Sequence, residues 1–336
     1  MLTFALFGAG RIGKIHAANL SMNRAARLRF VSDVDATAAE ALAQRHGATV
    51  ASIATSLADP TIDAVIIASS TDTHADLAMR AARAGKAIFC EKPIDLSLSR
   101  VDACLAEVEK AGVPMLVGFN RRFDPSFAAL KSRIAAGAIG NVEQVIISSR
   151  DPAPPPLSYL RVSGGQLRDM TIHDFDMARW LLGEEPEEVF AYGSALVDLS
   201  VAEAGDTDSL MVLMRTPSGR LAHINNSRRA SYGYDQRIEV HGASGRIMAD
   251  NRTATSVELS DASAVQRDRP LDFFLERYGD AYRLELAAFI DAVTARSPMP
   301  VGARDGRMAL VLAEAAIRSM DERRPVRIDE IMGARP

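Results

Sequence analysis

Short apolar runs alternate with amphipathic stretches through the first third of the chain. Thr3–Phe7, Leu28–Ser32, Ala64–Ala68, Ala87–Cys90 and Pro114–Val117 read as strands. Between them, Gly13–Ser21, Ala36–His46, His74–Ala84 and Leu98–Ala111 read as helices. Val65-Ile-Ile-Ala68 carries no polar alternation, as expected of a strand covered on both faces. Gly47, Gly85 and Gly112 follow three of the helices, where a left-handed cap suits glycine. This succession predicts a doubly wound parallel sheet over residues 1–119.

From about residue 143 the pattern changes, and apolar segments adjoin one another through turn residues. Leu210–Thr216 and Arg220–Ile224 flank Pro217-Ser-Gly219, and Arg237–His241 and Arg246–Ala249 flank Gly242-Ala-Ser-Gly245. Both read as hairpins, because each glycine turn joins two strands rather than a strand and a phosphate-binding helix. The rest of the chain, residues 120–336, is therefore expected to form a second domain on an open, mostly antiparallel sheet. Ala281–Thr294 and Asp305–Met320 are its long amphipathic helices, and Ala153-Pro-Pro-Pro156 is an exposed stiff loop. The fold class is α/β plus α+β.

Composition narrows the function classes. The 336 residues carry 39 Lys+Arg against 43 Asp+Glu, a net charge of -4 with no basic stretch, which argues against a nucleic-acid partner. No segment reaches the roughly 18–20 apolar residues that span a bilayer. The apolar Met1–Gly8 lacks a basic lead and reads as a buried strand rather than a signal peptide. Two cysteines, Cys90 and Cys104, suit a reducing compartment, so a cytoplasmic location is expected.

Gly8-Ala9-Gly10-Arg11-Ile12-Gly13 fits G-x-G-x-x-G, a pattern that recurs by chance unless it links a strand to a helix, as here. Gly8 permits the tight turn, Gly10 lets the backbone approach a pyrophosphate, and Gly13 allows close helix–strand packing. The helix N-terminus, with Arg11 and Ile12 in its opening, supplies amides and a favourable dipole for the anion. Asp33, twenty residues beyond Gly13, ends the second strand where an acid binds the adenosine ribose hydroxyls. That carboxylate repels the extra phosphate of NADP and favours NAD. Arg11 and Arg45 pull weakly the other way, and solvated surface positions explain both.

Of the histidines at 16, 46, 74, 173, 223 and 241, His173 stands out by its neighbours. Asp169 lies four residues before it, so in a helix the two share a face and the carboxylate can orient the imidazole as a general base. On spacing alone, an ion pair on a surface helix is the slightly better account. Asp169, His173, Asp174 and Asp176 also invite a metal site, but no Cys/His ligand pattern accompanies them. Lys92 follows a parallel strand at the end where open α/β sheets bind ligands, and could stabilise an alkoxide. An ordinary strand-end lysine is the alternative. Cys90, with no activating partner in view, reads as a small core residue.

Taken together these residues resemble the oxidoreductase family of glucose–fructose oxidoreductase and inositol dehydrogenase, Gfo/Idh/MocA. The resemblance runs over essentially the whole chain. It rests on the glycine loop, Glu91-Lys92-Pro93, Gly118-Phe-Asn-Arg-Arg-Phe123 and the Asp169…His173-Asp174…Arg179-Trp180 block. Phe89–Pro93, Asn120–Asp124, Asp169–His173 and Tyr232–Asp235 are most similar to the inositol 2-dehydrogenase branch.

The resemblance implies a catalytic set of Lys92, Asp169 and His173. It implies a polyol substrate near Lys92, Arg121, Asp151, Asp169, His173 and Tyr234. Ser69, Thr71, His74, Glu91, Lys92 and Asn120 would line the nicotinamide half of an NAD site. It further implies oxidation of a secondary ring hydroxyl, myo-inositol to 2-keto-myo-inositol (scyllo-inosose), by a homotetramer joined through the open face of its C-terminal sheet. Ser149 and Met170 depart from the histidine and threonine of some inositol dehydrogenases. Another inositol isomer or an aldose therefore stays open as substrate. An NAD-using glycosidase and a non-catalytic NAD-binding sensor stand as alternatives of other classes.

Overall fold

The apolar runs of the N-terminal third form strands β1 (Leu2–Phe7), β2 (Ala26–Ser32), β3 (Thr49–Val50), β4 (Ala64–Ile67), β5 (Ala87–Cys90) and β6 (Met115–Val117). Helices α1 (Arg11–Met22), α2 (Ala36–His46), α3 (Ile53–Ala58), α4 (Thr71–Arg83) and α5 (Leu98–Ala111) lie between them. The structure, a computed structural model, describes residues 1–333. The six strands pair in parallel in the order β3-β2-β1-β4-β5-β6. This is the doubly wound arrangement expected from the alternation, with its switch point between β1 and β4. β4 and β5 are buried along their whole length, as strands covered on both faces must be.

Local chemistry sets the helix ends. Asp35 accepts the Ala38 amide at 3.1 Å to cap α2, and Gly47 closes that helix at φ 63°. Such a cap stabilises by about 1 kcal/mol. β3 and α3 escape the sequence pattern because two and six residues are too short to show a period.

The second half of the chain carries α6 (Pro125–Ala135), β7 (Val142–Arg150), α7 (Leu157–Ser163), α8 (Gly165–Asp169), α9 (Thr171–Leu182), β8 (Glu188–Ser194) and α10 (Leu199–Glu203). It continues through β9 (Ser209–Arg215), β10 (Leu221–Ser227), β11 (Asp235–Gly242), β12 (Gly245–Ala249), β13 (Glu258–Ser260), β14 (Val265–Arg267) and α11 (Phe274–Arg277). The chain ends in α12 (Gly279–Ala295), α13 (Ala303–Glu322), β15 (Val326–Arg327) and α14 (Ile328–Met332). A seven-stranded sheet orders these strands β12-β11-β7-β10-β9-β8-β15. All its neighbours are antiparallel except β7 and β10, which run parallel. Both expected hairpins are present, as β9–β10 and β11–β12.

Two compact units result: Met1–Phe123 with Ala281–Leu310, and Asp124–Asp280 with the residues from Val311 onward. Residues 281–310 thus return to the N-terminal unit. Phe289 of α12 explains why, packing its ring 6.1 Å from Phe4 and 5.7 Å from Phe89.

The second unit opens on Asp124, whose carboxylate accepts the amides of Ser126 and Phe127 at 3.0 and 3.2 Å and so caps α6. The same carboxylate pairs with Arg277, both side chains being 1% exposed. Breaking a pair buried this deeply costs about 3–5 kcal/mol, because one charge is left uncompensated. The solvated Arg267–Glu258 pair of the β13–β14 ribbon contributes far less, because water screens both charges. Arg277 also stacks on Phe127 and Tyr278 at 5.2 and 4.9 Å, and Tyr278 meets Tyr234 edge-on at 6.0 Å.

One face of the seven-stranded sheet is buried, with α9 packed on β7 and β10. The register sets Phe190, Leu213, His223 and Ile146 side by side across four strands of the other face, with Tyr192 opposite Met211. Tyr192, Met211 and Leu213 are 61%, 57% and 54% exposed there. Among the described residues no helix is long and apolar enough to cross a membrane.

Candidate functional site

In the first unit the glycine loop joins β1 to α1 at the sheet's switch point. Gly8 has φ +108°, and a Cβ there would lie 2.3 Å from the Ala68 carbonyl oxygen. A Cβ on Gly13 would lie 2.0 Å from the Gly8 carbonyl oxygen. Packing inside the protein therefore demands both glycines. Gly10 differs: no atom lies within 4 Å of the Cβ it lacks. The space over Gly10 is open, so packing within the protein does not demand this glycine, and a side chain there would enter the space in front of the opening amides of α1. Gly10 caps α1 without a side-chain hydrogen bond, and the first turn holds no acid. The opening amides of α1 thus keep their affinity for an anion. These residues fit a dinucleotide pyrophosphate.

Asp33 ends beside this loop. Its carboxylate accepts the Ala9 amide at 2.5 Å and the Asp35 amide at 2.8 Å. Charge-assisted bonds of this kind stabilise by roughly 1.5–3 kcal/mol each, so Asp33 also fastens the loop it was expected to serve. Arg11 is exposed, and Ile12 is half-buried beside it.

The carboxyl ends of β4 and β5 hold the next group. His74 of α4 sets its Nδ1 2.8 Å from the Pro93 carbonyl oxygen and its Nε2 3.1 Å from that of Ser69. The ring thereby lies between Ser69 and the Glu91-Lys92-Pro93 segment. The Ser69 and Thr73 hydroxyls are bonded at 2.6 Å, and Thr71 opens α4.

Glu91 is buried and accepts His16 Nε2–H at 2.7 Å, while a Cβ on Gly118 would lie 2.7 Å from its other oxygen. This explains the glycine in Gly118–Phe123. It also reveals His16, which spacing alone left indistinguishable from the other histidines. Lys92 sits half-buried at the strand end, and Asn120 and Arg121 are buried in the single 3₁₀ turn Asn120–Phe123 that follows β6. Cys90 is fully buried, and burial pushes its thiol well up, as suits a core residue.

The second unit holds Asp151, Asp169, His173 and Tyr234. Asp169 and His173 do not share one continuous helix: α8 ends at Asp169, α9 begins at Thr171, and Met170 joins them at φ -94°, ψ -59°. A buried network holds the turn that follows. Thr171 Oγ1–H donates to Asn226 Oδ1 at 2.6 Å, and Asn226 Nδ2–H donates to Asp174 Oδ2 at 2.9 Å and to the Ser149 carbonyl at 3.2 Å. Asn226 of β10 thus holds the first turn of α9 on both sides of His173.

Asp169 Oδ1 accepts the Tyr159 hydroxyl at 2.9 Å, and its Oδ2 lies 3.5 Å from Arg228 Nη2. Asn226, Tyr159 and Arg228 are not apparent from sequence. Only the tyrosine, ten residues before Asp169, lies close enough to suggest itself.

Asp151 leaves β7 with its amide bonded to the Ser227 carbonyl at 2.9 Å. Tyr234 is buried beside Phe273 and Tyr278. Asp235, next to it, fixes this corner through Tyr232 OH at 2.6 Å and Arg237 Nε at 2.7 Å. Burial opposes the charge on Asp235, but Arg237, Tyr232 and Asn251 together bring its pKa below the ordinary value. Ser149 donates to Gln236 at 3.0 Å, and Met170 is buried. Arg179 of the expected block serves the fold, since it pairs with Glu185 at 2.6 Å.

Residues 2–119 match the oxidoreductase family's NAD-binding Rossmann fold, and residues 131–328 match its C-terminal alpha/beta domain. The chain belongs to the Gfo/Idh/MocA oxidoreductases. It is 52% identical to the inositol 2-dehydrogenase of Rhizobium meliloti (strain 1021), covering 97% of this chain and 98% of that one. It is 49% identical to the myo-inositol 2-dehydrogenase of Thermotoga maritima, over 99% and 100% of the two chains. The crystal structure of a myo-inositol dehydrogenase from Corynebacterium glutamicum superposes with a TM-score of 0.94 at 44% identity, covering 97% of this chain and 98% of that one. The expected family and fold class are therefore borne out, and the first unit of this oxidoreductase is its NAD-binding Rossmann domain.

Proposed function

We propose that the protein is an NAD-dependent dehydrogenase that oxidises a secondary ring hydroxyl of a cyclitol, taking myo-inositol to 2-keto-myo-inositol (scyllo-inosose). The observation that carries this reading is the break at Met170. There a buried hydrogen-bond network through Asn226 holds the turn that carries His173, directly after the helix that ends on Asp169, in a chain whose other unit binds NAD. Relatives named inositol 2-dehydrogenase and myo-inositol 2-dehydrogenase, at 52% and 49% identity, support the substrate.

In this reading Gly8, Gly10, Arg11, Ile12, Gly13 and Asp33 hold the pyrophosphate and adenosine ribose. Ser69, Thr71, His74, Glu91, Lys92 and Asn120 serve the nicotinamide half. NAD when bound supplies the hydride acceptor. His173 accepts the hydroxyl proton, Asp169 orients His173, and Lys92 stabilises the negative charge that develops on the oxygen. Arg121, Asp151 and Tyr234 place the remaining hydroxyls.

A panel of cyclitols and aldoses, assayed by NADH absorbance with NAD and NADP in parallel, tests the reading. The highest kcat/KM is expected for myo-inositol with NAD. Activity centred on an aldose would discard the substrate and keep the chemistry. Silence across the panel with NAD bound would favour a glycosidase or a sensor.

We also infer a homotetramer that covers the open sheet face. A row of exposed Tyr192, Met211 and Leu213 beside Phe190 is a sizeable apolar patch for a surface exposed to water. Met211→Glu with Leu213→Glu is expected to lower the mass seen by sedimentation. An intact chain that sediments as a monomer would sink the idea.

A further inference from the structure

Arg228 follows β10 directly, and the chemistry assigned above gives it no part. Its side chain is 2% exposed, and its amide donates to the Asp208 carbonyl at 2.8 Å, which fixes the strand end. Nε and Nη2 reach no hydrogen-bond acceptor among the described protein atoms. Leaving such a buried donor unsatisfied carries its full desolvation penalty, and folded proteins rarely tolerate that without a use. The one carboxylate within ion-pair distance, among the described residues, is Asp169, whose Oδ2 lies 3.5 Å from Nη2. A small movement of that carboxylate closes the contact into a charge-assisted hydrogen bond.

The strand explains the placement. Residues two apart at a strand end share a face, so Asn226 and Arg228 both meet the helices lying over β10. Asn226 binds Thr171 and Asp174 at the start of α9, and Arg228 faces Asp169 at the end of α8. One strand end thus supports both sides of the Met170 break.

We propose that Arg228 is a positioning residue of the reaction, holding the Oδ2 edge of Asp169 while Tyr159 OH holds Oδ1. This rests on the reading of Asp169 and His173 as the working pair. A merely structural arginine would lower stability or total activity whatever stood at 169. A positioning arginine acts through the Asp169 carboxylate and loses its effect when that carboxylate is removed.

Activity with myo-inositol and NAD is therefore compared for the intact enzyme, Asp169→Asn, Arg228→Met, Arg228→Lys and the Asp169→Asn/Arg228→Met double variant. Arg228→Met is expected to lower kcat roughly 10–100-fold, the scale of a misplaced catalytic group, with KM within about threefold. Arg228→Lys recovers part of that loss. In the Asp169→Asn background, Arg228→Met is expected to cost less than about threefold, the non-additivity of groups that act as one. An equal fold-loss in both backgrounds would overturn the proposal and leave Arg228 a core residue. If Arg228→Met does not fold, the loss from Arg228→Lys in the two backgrounds decides the same question. Asp169→Asn with native turnover would overturn the working pair itself, an outcome distinct from the failure of Arg228 alone.

Discussion

Asp169→Asn and His173→Ala are each expected to lower kcat for the cyclitol by about 10²–10⁴-fold, the span attributed to a positioned general base. The two substitutions differ in kind. In the proposed mechanism His173→Ala removes the proton acceptor outright. Asp169→Asn keeps the shape and the bond to Tyr159, but replaces a carboxylate with an amide that cannot hold the imidazolium formed once the proton arrives. Neither residue belongs to the NAD-binding unit, so the NAD dissociation constant is expected to stay within about twofold for both. Steady-state NADH formation and an NAD titration on the same preparations separate the two effects. Thermal unfolding gives the control, since the side chains of Asn226, Thr171 and Asp174 hold the turn to one another. Both variants turning over at more than about a tenth of the native rate would remove the assignment. The double variant is expected to lose little beyond the worse single one, as residues that act as a unit do.

What the sequence shows depends on how local the cause is. β4 and β5 are legible because a strand buried on both faces must be apolar throughout. The glycine loop is legible because a turn, a close approach and a helix start all fall within Gly8–Gly13. Helix α6 also carries a local signal, an Asp124 cap followed by Pro125 at the first helical position, which the apolar periodicity does not pick out.

Other features lie beyond any local pattern. The parallel pairing of β7 with β10 joins strands separated by α7, α8, α9, β8, α10 and β9, and nothing in either strand announces it. The start of α9 after the Met170 break is bound by Asn226, far along the chain, and four-residue spacing suggests one helix where there are two. Arg228 is hidden for the same reason, its partner being 59 positions earlier. The resemblance to a family supplies the names of the site residues, while the geometry shows what supports them.

Gly10→Val should fold normally and lose NAD, whereas Gly13→Val should damage the fold itself. The backbone at Gly10 is extended, with φ -70° and ψ -163°, which a β-branched residue adopts without strain. No protein atom stands within 4 Å of the new Cβ, so the unfolding midpoint is expected to move by no more than about 2–4 °C, the equivalent of a surface change. The side chain then occupies the space in which the pyrophosphate must meet the opening amides of α1. Losing two charge-assisted bonds there, at roughly 1.5–3 kcal/mol each, weakens NAD binding by about 10²–10⁴-fold. At Gly13 the added Cβ would lie 2.0 Å from the Gly8 carbonyl oxygen, so α1 must be pushed off β1. A lower unfolding midpoint is then expected before any ligand is added. Calorimetric titration with NAD beside a thermal melt reads both outcomes. Native NAD affinity in Gly10→Val would mean that the pyrophosphate does not sit on this loop, because the added side chain would stand between it and the opening amides of α1.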